Sequence, residues 1–319
     1  MNTKNSPIKG KAYEYACVLA VNDLISSIRP VEIVDNSSLE IAKSHFNNDI
    51  SDLERRNMSL SAKAGVQVII QMEPRMYDGK DKLTISLQPD TVATKKGDIR
   101  DVLIIRRSIK WEIGISLKHN HAALKHSRLS PKIDFGKEWF NCPCSEEYFK
   151  EINKIFSFLA ESKKQGKKWS DFGKGKEFFV YRPVLMAFMK EFTRLADKKN
   201  ITSKLIKYLI GSNGRDYYKM IHYDNHIVTI TPFNLYGTLN QKGENATPLK
   251  TIPPVRLPKK ILCMDFKEKS SSTLILSMDE GWQISFRIHN ASTFVEPSLK
   301  FDIQLKGQPA NLFYINATW

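Results

Sequence analysis

The stretch 97–130, GDIRDVLIIRRSIKWEIGISLKHNHAALKHSRLS, constrains the fold of this chain most. Asp101-Val-Leu-Ile-Ile is an apolar run that suits a buried strand, and Trp111–Lys118 alternates in type with a period of two. The spacing predicts a hairpin whose turn is centred between Ile109 and Lys110, with Asp101 opposite Lys118. Residues paired in this way hold their Cβ atoms about 4.5–5.5 Å apart on one face of the sheet. A carboxylate beside an ammonium at the end of a hairpin is the start of a metal-dependent phosphodiesterase site; the alternative is a surface ion pair of little energetic worth. In the same register Asp98 lies beyond the paired strand. Glu112 shares a face with Lys118 but lies about 20 Å along the strand, too far to bind the same ion.

The charge balance narrows the partner. Forty-nine Lys and Arg against 34 Asp and Glu leave a net charge of +15, which favours a polyanion through counterion release at phosphates. The basic residues are spread along the chain rather than gathered in a tail, and 163–169 (KKQGKKW) is the densest cluster. Cys17, Cys142, Cys144 and Cys263 are too few and too scattered for a disulfide framework, and Cys142-Pro-Cys144 has no second pair to complete a zinc site. Reduced thiols and a cytoplasmic location are expected. No apolar run approaches the ~20 residues a bilayer requires, and the polar start MNTKNSPIKGK is not a signal peptide, so no membrane partner is expected.

The 319 residues, 41% of them hydrophobic, allow one large domain or two ordinary ones. Tyr13, Cys17, Ala20, Val21, Leu24 and Ile28 fall at helical spacing and predict an amphipathic helix over 12–28, ended by Pro30. Glu14 sits in its first turns. Residues 31–63 read as charged helix, and 66–72 and 82–88 as strands. A short helix is expected at 121–129, and longer ones at 146–164, 178–195 and 203–210. After Gly211 short alternating runs at 226–232, 260–266, 273–278, 282–289 and 300–305 change the pattern to β. The chain therefore reads as α/β (α+β), with a mixed central sheet flanked by helices over 1–210 and a β-rich part over 211–319.

A helix, then strands bearing Asp101 and Lys118, then further helices: this order resembles the PD-(D/E)xK nuclease core. That core has an Asp on one strand and Glu/Asp-x-Lys on the next. Here the second element is Ser116-Leu117-Lys118, with serine where the middle carboxylate belongs. Some members of the superfamily supply that acid from a helix, and Glu14 is the best-placed candidate. Longer blocks are more specific. WEIGISLKHNHAALKHSRLS, YLIGSNGRDYYK (208–219), FNLYGTLN (233–240) and GWQISFRIHNASTFVEPSLKFDIQLKG (281–307) resemble the HaeIII family of type II restriction endonucleases. The likeness covers most of the chain. It implies Mg²⁺-dependent cleavage of double-stranded DNA within GGCC, with a modification methyltransferase as genetic partner. A palindromic site suits a homodimer without demanding one. Under this resemblance 1–210 is the nuclease core with inserted helices, and 211–319 packs on it and contributes to DNA recognition.

Hydrolysing a phosphodiester needs an activated water and a cation to stabilise charge on phosphorus. Asp101 is expected as the principal ligand, with Glu14 binding directly or through water and the Leu117 carbonyl adding an oxygen. Lys118 would orient or help deprotonate the water, and Ser116 would hydrogen-bond a metal-bound water. His119, Asn120, His121, Lys125, His126 and Arg128 form a dense set of donors for phosphates and bases. Arg287 and Lys300 are further candidates, since Arg or Lys reads guanine O6 and N7; strand pairing is the structural alternative for each. His119-Asn120-His121 is not an HNH nuclease motif, which spreads its residues over a hairpin and helix. No Walker loop is present, which argues against an ATP-driven translocase. The competing class is a non-catalytic or repair-type DNA-binding protein, in which Ser116 marks a degenerate nuclease site.

Overall fold

A computed structural model describes residues 6–89, 98–120, 123–125, 127–198, 200–210, 214–307 and 309–319. The chain divides into two compact units. One comprises Met1–Ala122, Gly211–Val255 and Asn311–Trp319; the other Ala123–Ile210 and Arg256–Ala310. The expected boundary between 210 and 211 is one crossing between the units, and the chain makes three more, at 122/123, 255/256 and 310/311.

Among the described residues the first unit holds seven strands: β1 (Val31–Ile33), β2 (Leu83–Leu87), β3 (Val102–Arg106), β4 (Trp111–His119), β7 (Tyr217–Tyr223), β8 (Ile227–Phe233) and β13 (Ile315–Thr318). They form one mixed sheet in the order β1-β2-β3-β4-β7-β8-β13. β1 runs parallel to β2, and β4 parallel to β7; the other neighbours are antiparallel. Helices α1 (Ser6–Ile25), α2 (Ser37–Ser44) and α3 (Asp52–Met72) belong to this unit, and α1 packs against α3 and β4. Ala12, Tyr13, Ala16, Cys17, Ala20 and Val21 form the buried stripe of α1 and join Ile113, Ile115 and Leu117 of β4 in one core. The expected helix at 12–28 is therefore present, starting earlier and ending sooner.

Residues 66–72 are helix, not the expected strand. A capping box starts α3: the Ser51 side chain accepts from the Glu54 amide, and the Glu54 carboxylate accepts from the Ser51 amide. Met58, Ala62, Val66, Ile69 and Met72 then fall at intervals of three and four and are buried together. That periodicity outweighs the β-branched composition of the last two turns. Among the described residues no helix is long and apolar enough to cross a membrane.

The second unit holds the strands β5 (Ala123–Lys125), β6 (Arg128–Leu129), β9 (Ile261–Phe266), β10 (Thr273–Met278), β11 (Gln283–His289) and β12 (Leu299–Gly307). Their sheet runs in the order β5-β12-β11-β10-β9, with β6 also pairing β12. The short helix expected at 121–129 is thus replaced by two strand segments. The reason lies far along the chain: Ala123, Lys125, Arg128 and Leu129 pair with β12, a partner no local pattern announces. Helices α4 (Phe135–Phe140), α5 (Glu146–Lys164), α6 (Arg182–Ala196) and α7 (Ile201–Ile210) complete this unit. Its core is aromatic, with Phe135 against Trp139 and Phe188, and those two packed against Phe286 and Phe301.

Candidate active site

The β3–β4 hairpin carries the first candidates, in a register that differs from the expected one. Val102 pairs with Ile115 and Arg106 with Trp111, so the turn occupies 107–110 and is centred one residue earlier. Its shape accounts for the shift: Arg107–Ile109 form a 3₁₀ turn, and Lys110 takes a left-handed φ of 52° before β4 begins. Continuing the register puts Asp101 level with Ser116 rather than Lys118. A two-residue shift preserves the face, because side chains alternate along a strand. Asp101 and Lys118 therefore still meet, diagonally, with Lys118 Nζ 3.5 Å from Asp101 Oδ2. The same oxygen accepts from the Leu117 amide at 2.6 Å.

Glu14 comes to this place from α1. Its side chain is 8% exposed and its carboxylate takes the Lys11 ammonium at 3.0 Å. Burial, and then the Asp101 carboxylate, push Glu14 up to about 8, against the pull of Lys11 and Lys118. Two carboxyl groups and a lysine from two distant segments of sequence are thus brought together at the end of the hairpin. Asp98 and Glu112 are not part of this group. Both are bound by Arg100, whose Nη2 is 2.7 Å from Asp98 and whose Nη1 is 2.7 Å from Glu112. Gly114 makes room for that arginine, since a Cβ there would overlap the Arg100 side chain.

Lys219 is a residue that sequence reasoning missed. It pairs with Ser116 across the parallel β4–β7 ladder and is 5% exposed. Burial lowers it to about 7, and Lys118 pushes in the same direction. The available signal was a lysine inside the otherwise apolar and aromatic run YYKMI, since a charge is costly to bury.

The ends of β4 and β7 hold a second cluster. His119 pairs with His222 in the parallel register, and their rings stack with centroids 5.0 Å apart. His119 Nε2 and His222 Nε2 each lie 3.6 Å from Asp224 Oδ1. The Asn120 side chain donates to Asp224 Oδ2 at 2.6 Å and accepts from the Asp224 amide at 3.2 Å. Burial lowers both histidines, His222 to about 4. His119 and Asn120 are expected as DNA donors; their grouping with His222 and Asp224, a hundred residues later, has no signature in the local sequence.

The remaining candidates belong to the second unit. The Lys125 ammonium sits 3.6 Å above the Tyr208 ring and donates to the Tyr208 carbonyl at 3.2 Å. Burial lowers it to about 8. Arg128 is exposed, pairs with Lys300 across β6–β12 and donates to Ser298 Oγ at 3.2 Å. Lys300 also pairs with His289, and exposed Arg287 pairs with Asp302. Paired positions share a face, so Arg128, Lys300, His289 and Arg287 lie on one side of this sheet. His121 and His126 lie outside the described residues.

The sequence model of the HaeIII restriction endonuclease family matches residues 10–309. The chain is 42% identical over 313 residues to the type II restriction enzyme HaeIII of Haemophilus aegyptius, covering 97% of each chain. No solved structure matches it.

Proposed function

The chain belongs to the HaeIII restriction endonuclease family and is a type II site-specific DNA endonuclease; on that premise we propose that it cleaves double-stranded DNA at GGCC, with Mg²⁺, through Asp101, Lys118 and Glu14. The observation that carries the site is Lys118 Nζ 3.5 Å from Asp101 Oδ2, with the buried Glu14 carboxyl near enough to feel both charges. Family membership favours the enzyme over the non-catalytic alternative.

The donor set suits a hard cation. Mg²⁺ takes oxygen ligands and keeps several of its waters, and here two carboxyl groups meet in a partly buried place. Glu14, held up to about 8 by burial and by Asp101, is a group that a bound dication would ionise. When bound, the ion supplies charge neutralisation at the scissile phosphate and acidifies a water. Asp101 and Glu14 would hold it, and the Leu117 carbonyl, on the residue whose amide already contacts Asp101, would add a neutral oxygen. Lys118 would orient the attacking water and offset charge on the phosphate. Ser116 would hydrogen-bond a water nearby. This is the PD-(D/E)xK arrangement with the middle acid moved from the strand to α1.

DNA contacts follow from charge and placement. His119 at the end of β4, with Asn120, His121 and His126, supplies donors, and Lys125 adds a cation. The face bearing Arg128, Lys300 and Arg287 gives the β-rich part its share in recognition. A modification methyltransferase protects the host's own sites, the enzyme acts in the cytoplasm where that DNA is, and a homodimer matches a palindromic target.

Plasmid DNA incubated with the protein and Mg²⁺ should yield discrete fragments whose ends map to GGCC, and EDTA should abolish them. Asp101→Ala and Lys118→Ala should each lose at least a hundredfold in cleavage, while a gel-shift assay finds binding of a GGCC duplex retained. Near-normal cutting by either variant overturns the catalytic assignment. Fragment ends at another sequence overturn the site but leave the endonuclease standing.

A further inference from the structure

We propose that His119, His222 and Asp224 form a binding site for a divalent first-row transition cation, separate from the Glu14–Asp101 pair. The inference stands on the end of the β4–β7 ladder and does not depend on the nuclease mechanism. One ligand atom from each of the three residues lies within 4.8 Å of the others. Both imidazole Nε2 atoms lie 3.6 Å from Asp224 Oδ1. Bonds of about 2.0–2.2 Å to a tetrahedral ion imply ligand–ligand edges of roughly 3.3–3.6 Å, so both nitrogen–oxygen edges are already at the length a bound ion needs.

The surroundings fix the ligands. His119 and His222 are adjacent in a parallel register, so their side chains leave the sheet on the same face. His222 is 2% exposed and is packed against the Trp319 and Tyr13 rings, with centroids 5.0 and 5.3 Å away. Asn120 clamps Asp224 through both its amide nitrogen and its oxygen, which aims Oδ1 at the two rings. The backbone contributes as well, since the Asn120 amide donates to the His222 carbonyl at 2.8 Å.

The donor set chooses the ion. Two imidazoles and one carboxylate suit zinc, cobalt, nickel or iron, whereas magnesium and calcium prefer oxygen alone. Three protein ligands leave a fourth position open, and Asp224, 74% exposed, places that opening toward solvent. A cation there ties the end of β4, one residue beyond Lys118, to the end of β7.

The test uses the full chain, stripped of metal and kept free of Mg²⁺ and DNA, titrated with Co²⁺. Low-coordinate Co²⁺ with nitrogen ligands absorbs strongly in the visible, whereas an all-oxygen octahedral site absorbs weakly. The expected result is one equivalent of strongly absorbing Co²⁺. Asp224→Ala should lose this band; its position is exposed, so the variant folds. Asp224→His should restore the band, and Asp101→Asn should leave it unchanged. The proposal is overturned if the wild-type chain gives no visible band, if the band survives Asp224→Ala, or if Asp101→Asn removes it. Cleavage of DNA is not read in any arm, so failure here leaves the nuclease assignment untouched.

Discussion

Glu14 is held where its charge is unwelcome until something positive arrives. Its ordinary value is 4.5, and burial raises it to about 8. Across that window the folded chain keeps a proton that the unfolded chain has released, so stability falls as pH rises from 4.5 toward 8. The slope from this one group is about 1.4 kcal/mol per pH unit at most. Lys219 acts in the opposite sense, because its lowered value near 7 makes stability rise from about pH 7 upward. His119 and His222, lowered by burial, make stability rise with pH over part of that window in wild type and variant alike. In EDTA the mark of Glu14 is therefore a pH slope of urea stability between pH 5 and 7 that is more negative in the wild-type chain than in Glu14→Gln. The same variant should cut GGCC DNA at least a hundredfold more slowly with Mg²⁺, whereas Glu112→Gln, which removes one of the two carboxylates on Arg100 and leaves Asp98 in place, should cut within a few-fold of wild type. Equal pH slopes in wild type and Glu14→Gln would remove the buried-carboxyl argument. At this scale the sequence is legible where chemistry is written locally. Asp101 and Lys118 stand near strand ends in one short stretch of chain, and Glu14 stands in a helix announced by its apolar spacing, although that helix is buried nearly all round rather than amphipathic. Lys219 leaves only the trace of a charge in an apolar run, and the grouping of His222 and Asp224 with His119 leaves none, because their meaning depends on β7 lying parallel to β4, a pairing across about a hundred residues.

At the level of elements, the hairpin shows which errors matter. Its turn is centred one residue earlier than its spacing predicts, and every cross-strand pair moves by two as a result. The face survives because the side-chain period is also two; a shift of one would put Asp101 on the opposite face from Lys118. The misread helix end at 66–72 has a different origin. Val66, Val68, Ile69 and Ile70 favour strands by composition, but α3 is started by the Ser51–Glu54 capping box and continues under its own periodicity. Composition is a weaker guide than period when a helix is already running. The β4 strand also carries a glycine for a packing reason. Gly114 lies against the Arg100 side chain, which holds both Asp98 and Glu112. Gly114→Ala should push Arg100 aside and destabilise the chain by about 1–3 kcal/mol, the usual range for overpacking, read as a lower urea midpoint with an unchanged slope. Gly10→Ala is the control, since no atom lies within 4 Å of a Cβ there, and helix propensity favours alanine. A stable Gly114→Ala chain would mean that Arg100 has another place to go.

For the whole molecule the decisive quantity is the net charge of +15. It is legible at once and points to a polyanion, but it does not say which cations touch phosphate and which read bases. Salt dependence separates the two roles. Each phosphate contact contributes about −0.9 to the slope of log affinity against log salt, and six to ten contacts cost roughly 10³–10⁵ in affinity between 50 and 200 mM. Binding should be measured with the cleavage-deficient Asp101→Ala chain, so that DNA stays intact, on a GGCC duplex and on one with a changed central pair. A steep slope, in the range set by six or more contacts, is expected on both duplexes. Arg128→Ala, Lys300→Ala and Arg287→Ala then sort the sheet face bearing these three residues. A variant that no longer touches phosphate should show a slope flatter by about one and bind both duplexes more weakly to the same degree. A variant that no longer reads guanine should bind GGCC more weakly by about 1–3 kcal/mol and the altered duplex almost as before. If none of the three variants changes slope or preference, the basic face of the β5–β12 sheet takes no part in recognition. The reading of DNA would then rest on residues outside this face.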